Sequence, residues 1–164
     1  MQKLSFTLFT LFSVILIFQS CKKDDITNVD EDQVFFEEYQ KATLTAFRDS
    51  GLLSGVSPSP HGSFKLYFNG TAQAALGTDG NLPMGETFPE GSMIVKEIYS
   101  NGSPSLIALM KKEAGNAQVA SGWVWGEYGP SGNTVYSAGK KGIGCTGCHG
   151  GGTNRDLVRT FDLH

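Results

Sequence analysis

The sequence of 164 residues has little net charge and few of the patterns that mark large classes of protein. Its formal net charge of -3 gives no case for binding nucleic acid. We find no internal repeat, no phosphate-cradling glycine loop and no coiled-coil heptad. The apolar run Leu4–Phe18 is shorter than the roughly 20 residues that a transmembrane helix needs. What is present suits one globular domain, with 21 glycines for turns and 11% aromatic residues for a core.

The apolar run near the N-terminus has the form of an export signal. It follows Lys3 and leads to Cys21, after which a charged cluster occupies residues 22–25. This pattern resembles a bacterial lipoprotein signal, in which cleavage leaves Cys21 as a lipid-modified first residue. We expect a signal peptide over residues 1–20, a tether over 21–33, and a lipid anchor that holds the chain to the cell envelope, facing the periplasm. An ordinary secretory signal and a retained membrane anchor are the alternatives.

Two of the three cysteines stand in the most informative segment, Cys145-Thr146-Gly147-Cys148-His149. Cys-x-x-Cys-His is the attachment motif for haem c. Each sulfur can add to one haem vinyl group, and the adjacent histidine then reaches the iron as an axial ligand. We therefore expect one haem c, bound covalently through Cys145 and Cys148, with His149 as the metal ligand. Haem c is attached outside the cytoplasm, which agrees with the export signal.

A zinc site and a redox dithiol are the alternative interpretations of the same cysteines. A closed zinc site needs four ligands, and the remaining candidates are His61, His164 and Cys21, of which Cys21 is expected to carry lipid. A thioredoxin-like dithiol normally follows a strand and opens a helix in a βαβ unit. Here glycines crowd both sides of the motif, which favours haem.

The spacing of apolar residues predicts a helix followed by antiparallel strands. The helix is capped by Asp30 or Asp32, ends at Ser50-Gly51, and carries one apolar stripe formed by Phe35, Tyr39, Ala42 and Ala46. Asn101-Gly102 predicts a hairpin turn. Alternating or β-branched segments predict strands over residues 63–68, 93–99, 105–111, 122–128 and 135–137. The expected fold class is α+β and β-rich: an antiparallel sheet with an N-terminal helix and a C-terminal haem c, in a haem domain over residues 34–164.

The position of the haem motif limits the choice of a sixth iron ligand. No methionine follows His149, and the last one in the chain is Met110. An upstream or terminal residue would have to serve, and none has support from a motif; the candidates are Met84, Met93, Met110, His61, Lys96 and His164. We therefore expect a five-coordinate iron with an open site for small molecules.

Taken in order, several further segments resemble the cytochrome P-460 family and its relative cytochrome c′-beta. They are Ser59–Gly62, Phe88–Glu97, Leu109–Lys112, Trp123–Tyr128 and Cys145–His149. The resemblance covers most of the chain from about residue 34 and implies a β-rich fold with a five-coordinate haem c. It also implies oxidation of hydroxylamine or binding of nitric oxide. In the enzymes a lysine is bonded to the porphyrin edge, and Lys96 matches the position of that lysine.

Lys96 and Glu127 are the candidate catalytic residues. Lys96 shares a strand face with Ile94 and Ile98, but both faces of that strand are largely apolar, so its direction stays open between the interior and solvent. Burial would lower the pKa of Lys96 and free its amine to react. Glu127 lies on the same strand face as Trp125 and is a candidate general base, with a solvent-exposed edge position as the alternative.

Several aromatic and methionine residues are candidates for an apolar cap over the iron, although core packing is the favoured interpretation of each: Phe64, Phe68, Phe88, Met93 and Met110. His61 is a candidate hydrogen-bond donor near the haem, with a loop-capping role after Pro60 as the alternative.

Three functions follow from these residues. The first is oxidation of hydroxylamine or a similar small nitrogen compound, with electrons leaving to a redox partner protein. The second is binding of nitric oxide without catalysis. The third is electron transfer, for which a sixth ligand from methionine or histidine would be required. The resemblance also makes a homodimer possible, although no sequence feature marks an interface.

Overall fold

The computed structural model of the chain describes residues 30–49, 51–57 and 59–164. The predicted signal peptide (1–20), the predicted lipidation site Cys21 and the predicted tether up to residue 29 lie outside the described residues. No helix within the described residues is both long and apolar enough to cross a bilayer.

Six antiparallel strands form one sheet in which each strand pairs with the next along the chain. The strands are β1 (Leu44–Ala46), β2 (Phe64–Asn69), β3 (Met93–Ser100), β4 (Ser103–Lys112), β5 (Trp123–Tyr128) and β6 (Thr134–Tyr136). Asn101 and Gly102 form the turn between β3 and β4, both with positive φ, as the hairpin prediction requires. The β-rich α+β fold and the five predicted strands are confirmed.

The described residues include four short α-helices: α1 (Glu31–Lys41), α2 (Gly70–Ala74), α3 (Cys145–His149) and α4 (Thr160–Leu163). Asp30 caps α1, since its carboxylate accepts hydrogen bonds from the backbone amides of Asp32 and Gln33. Because α1 begins at Glu31, the last three residues of the predicted tether lie in its first turn.

The predicted first helix is too long. It ends at Lys41, Ala42 is extended, and Leu44–Ala46 pair with β2 as strand β1. The helix ends early for two reasons. The β-branched Thr43 and Thr45 disfavour a helix, and the edge of β2 offers hydrogen-bond partners to the backbone of an extended chain. Ala46 therefore belongs to the sheet and not to the helical stripe.

The sheet separates two hydrophobic clusters. We call the side covered by α1 the helix face; its core includes Val95, Leu109, Val124 and Tyr128 together with Phe35 and Phe36 from α1. We call the other side the cavity face; its core includes Ile94, Met110, Trp123, Trp125 and, from the C-terminal segment, Phe161. Alternation along each strand therefore decides which side chains can meet the C-terminal segment that carries the cysteines.

Candidate functional site

A cavity of about 320 Å³ lies between the cavity face of the sheet and the C-terminal segment. Its volume is within the range of roughly 300–1,000 Å³ that is usual for ligand sites. Most of its lining is apolar, and the polar side chains in it include Lys96, Glu127, His149 and Arg159.

The haem motif forms α3 on one wall of this cavity. Cys145, Cys148 and His149 all line it, and both cysteines are free thiols. Gly142, which precedes the motif, has a φ of 64°, and a Cβ there would lie 2.8 Å from the Trp125 ring. A glycine is therefore needed for α3 to approach β5 so closely.

One ring nitrogen of His149 is engaged in a hydrogen bond. Its Nδ1 lies 2.7 Å from the backbone oxygen of Leu157, and its ring packs edge-on against Trp125 with centroids 4.9 Å apart. With Nδ1–H donating to the carbonyl, Nε2 is the nitrogen left to bind a metal. Burial lowers the pKa of His149, which keeps the ring in the neutral form that can coordinate. Two thiols and a neutral, oriented imidazole around one cavity fit a covalently held haem.

The alternatives for the cysteines find less support. Burial raises the pKa of Cys145, whereas a reactive dithiol needs a lowered one. The motif also follows an antiparallel meander and not a βαβ unit. For zinc, no three His, Cys, Asp or Glu side chains in the described part of the chain are grouped as a metal site. Cys21 lies outside that part.

One row of side chains crosses five strands on the cavity face. The pairing registers place Leu66 opposite Lys96, Lys96 opposite Ala108, Ala108 opposite Glu127, and Glu127 opposite Tyr136. All five line the cavity. Lys96 and Glu127 are thus two strand spacings apart, about 10 Å between their backbones, with only the methyl group of Ala108 between them. The small residue leaves room for a ligand between an amine and a carboxylate.

Lys96 points into the cavity. Its Nζ lies 4.1 Å from the centroid of the Phe64 ring, and among the described residues it forms no salt bridge. Burial lowers the pKa of Lys96 from 10.5 to about 8. Near physiological pH a minority of this amine is therefore neutral and able to act as a nucleophile, while the protonated majority can donate a proton.

Glu127 also lines the cavity and is not on a sheet edge, because β6 pairs beyond β5. Burial raises the pKa of Glu127. Its side chain is half-buried and forms no salt bridge with another described residue. An unpaired carboxylate in an apolar cavity is suited to accepting protons from a bound ligand.

Three of the six candidate sixth ligands line the cavity: His61, Lys96 and Met110. Met93 lies on the helix face, and Met84 is 67% exposed. His164 packs edge-on against Phe64, outside the cavity lining. Burial lowers the pKa of His61 to about 4, so that this ring is neutral.

The predicted aromatic cap is mostly core. Phe64, Phe68 and Phe88 are buried in the cluster on the cavity face, and only Met110 of the five candidates lines the cavity itself. Sequence reasoning missed the residues that the C-terminal segment contributes, notably Arg159 and the Leu157 carbonyl. No motif marks them, since Arg159 reaches the cavity and the Leu157 carbonyl reaches His149 only through the folded path of residues 150–160.

A family model described as Cytochrome P460 matches residues 36–160 of the chain. A comparison with curated proteins gave no match. The matched range begins in α1 and extends through the haem motif to the start of α4.

Proposed function

The chain belongs to the cytochrome P460 family, and from that premise we propose that it is a haem c enzyme that oxidises hydroxylamine or a similar small nitrogen compound. The observation that carries the proposal is the placement of Lys96 and Glu127, both unpaired, on the wall of the cavity that also holds His149. A site for binding alone would not need a carboxylate with a raised pKa beside the ligand.

Cys145 and Cys148 would hold the haem through thioether bonds, and Nε2 of His149 would bind its iron. When bound, the haem supplies an open coordination position and accepts electrons that pass on to a redox partner protein. The chain's own part is to fix the orientation of His149 through Leu157 and to exclude water with the apolar lining.

Glu127 would act as the general base. Removal of two electrons from hydroxylamine leaves HNO and releases two protons, which must go to a nearby group. The raised pKa of Glu127 makes it a stronger base than an exposed glutamate. Its place beside Ala108 gives a ligand access to its carboxylate.

Lys96 would fix the ligand or the porphyrin. The resemblance implies a bond between this lysine and the porphyrin edge, and the lowered pKa supports a reactive amine. Lys96 would then be a third residue that holds the haem, beside Cys145 and Cys148.

The apolar lining favours a second function, the binding of nitric oxide without catalysis, because a neutral diatomic gas is suited to such a cavity. The same cavity would serve both functions. They differ in whether Glu127 takes part.

The test is a steady-state assay of the mature, haem-loaded protein with hydroxylamine and a small-molecule electron acceptor. We expect acceptor reduction that saturates with hydroxylamine. A high-spin protein that binds nitric oxide and shows no turnover would support the second function. A six-coordinate, low-spin spectrum would contradict both and indicate an electron carrier with His61 or Met110 as the sixth ligand.

We also propose that the mature chain is anchored to the cell envelope by lipid on Cys21 and faces the periplasm. The support is the pattern of residues 1–25 and the compartment in which haem c is attached. In a Cys21→Ser variant the protein should be lost from the membrane fraction. Unchanged membrane association of that variant would contradict the lipid anchor.

A further inference from the structure

The loop that follows the haem motif contains two consecutive residues in an unfavourable backbone conformation. Asp156 has a φ of 49° and Leu157 a φ of 70°. Leucine rarely adopts a positive φ, because its Cβ then crowds the backbone. The Leu157 carbonyl is the group that accepts the Nδ1–H of His149, at 2.7 Å. Some other interaction must hold this strained turn in place.

That interaction comes from the Asp156 carboxylate. One oxygen lies 2.7 Å from Nζ of Lys112 and 3.3 Å from the indole nitrogen of Trp123. The other lies 2.8 Å from Lys112 Nζ and 2.8 Å from the backbone nitrogen of Phe88. The Asp156 side chain is 7% exposed and that of Lys112 14%. One carboxylate therefore ties the loop to β4, to β5 and to the segment before β3.

We propose that Asp156 is a positioning residue for His149: by fixing the left-handed turn at Asp156 and Leu157, it holds the carbonyl that orients the imidazole. This inference rests on the proposed role of His149 as the iron ligand. A firm hydrogen bond from Nδ1–H raises the basicity of Nε2 and fixes the plane of the ring. Asp156 thus acts on the metal ligand through Leu157 and touches neither the cavity nor the haem motif itself.

A purely stabilising role explains the arrangement less well. Burying an ion pair costs desolvation of both charges, and well-packed apolar residues often stabilise a fold as much or more. Here the pair is combined with two further donors on one carboxylate, and its visible effect is the placement of one carbonyl beside His149.

The experiment compares haem-loaded wild type with Asp156→Asn by resonance Raman spectroscopy of the ferrous state. Asparagine tolerates a positive φ as aspartate does, so the change removes the charge without new backbone strain. We expect the iron–histidine stretching band to move to lower frequency and the reduction potential to rise. Displacement of His149 by nitric oxide should become roughly 10-fold more favourable, the lower end of the effect for groups that orient metal-bound histidines.

Two further variants keep the test decisive. The double variant Lys112→Met/Asp156→Asn leaves no unpaired buried charge, so we expect it to fold well. It should still shift the iron–histidine band, because one amide oxygen cannot replace all the contacts of a carboxylate. Glu38→Gln is the matched control, because it breaks the ion pair of the neighbouring Lys111 on the helix face, and it should leave the band unmoved.

A wild-type band that Asp156→Asn and the double variant leave unchanged would overturn the positioning role alone. A wild-type protein without an iron–histidine band would overturn the assignment of His149 and the positioning role with it.

Discussion

The two faces of the sheet present the same kinds of charged side chain in different surroundings. Glu97 on the helix face accepts hydrogen bonds from the hydroxyl groups of Tyr39, Tyr67 and Tyr99, each at 3.3 Å. Glu127 on the cavity face has no such donors in the part of the chain that the structure describes. The Glu127 side chain is half-buried and lines the cavity, so its carboxylate is accessible to a ligand there.

The lysines also differ in whether they have an acidic partner. Lys111 on the helix face pairs with Glu38 at 2.8 Å, and its neighbour Lys112 pairs with Asp156 on the cavity face. Lys96 has no acidic partner among the described residues and lies over the Phe64 ring instead. Lys111 and Lys112 are thus paired, whereas Lys96 and Glu127 form no salt bridge with a described residue and line one cavity on either side of Ala108.

The largest expected effect is the difference in kcat/KM between variants of Glu127 and Glu97. Glu127→Gln removes the proposed base and should lower kcat/KM for hydroxylamine by about 10²- to 10⁴-fold, the usual contribution of general base catalysis. Glu97→Gln keeps an oxygen acceptor for the tyrosines and should leave kcat/KM near the wild-type value. Equal losses in both variants, measured by steady-state kinetics, would mean that the division between the faces has no functional meaning.

The next comparison concerns the free energy of unfolding of variants of the neighbouring residues Lys111 and Lys112. Lys112→Met leaves the Asp156 carboxylate buried without its cation and should cost about 3–5 kcal/mol of the free energy of unfolding. Lys111→Met leaves Glu38, whose side chain is 42% exposed, in water and should cost about 0–1 kcal/mol. Denaturant unfolding of both variants measures the difference. Similar values for the two would show that the Lys112–Asp156 pair is not effectively buried.

The pH dependence of kcat/KM tests the role of Glu127 as the general base. A general base works in its deprotonated form, so kcat/KM should rise with pH through the pKa of Glu127 and level off above it. Because burial raises this pKa, the midpoint should lie above the ordinary value of 4.5. Below the midpoint the rate should fall about tenfold per pH unit. This limb should be absent from the profile of Glu127→Gln, and its persistence there would assign it to another group.

The smallest effect concerns the tyrosines of the helix face. Burial, followed by the charge of Glu97, raises the pKa values of Tyr39 and Tyr67 to about 12. Glu97→Gln removes the charge and leaves the burial, so ultraviolet titration should show these pKa values falling part of the way toward 10. No movement would mean that Glu97 does not hold the tyrosine cluster.

The haem motif and the faces of the strands could be predicted from the sequence. Cys145–His149 has a fixed spacing that haem c attachment requires. The alternation of apolar residues such as Phe64, Leu66 and Phe68 indicates a strand with one buried face. The sequence predicts a helix that continues past Lys41, because the apolar spacing continues by chance to Ala46. The pairing of that segment with β2 is a tertiary effect that the spacing does not show.

The arrangement of the cavity could not be predicted. Lys96 lies on a strand with apolar residues on both faces, so alternation alone gave no direction for its side chain. Its alignment with Glu127 depends on the registers of two strand pairs, which the turns and the core set together. Asp156 gave no signal at all, because its four contacts come from residues that are 33 to 68 positions away in the sequence.

The central claim is that haem is bound covalently at Cys145–His149, on the wall of the cavity that Lys96 and Glu127 line. The most direct measurement is the intact mass of the mature domain, produced in a host that attaches haem c, followed by mass mapping of its peptides. We predict the added mass of one haem, carried by the peptide that contains Cys145 and Cys148. A protein with its full complement of free thiols and no added haem mass would contradict the account.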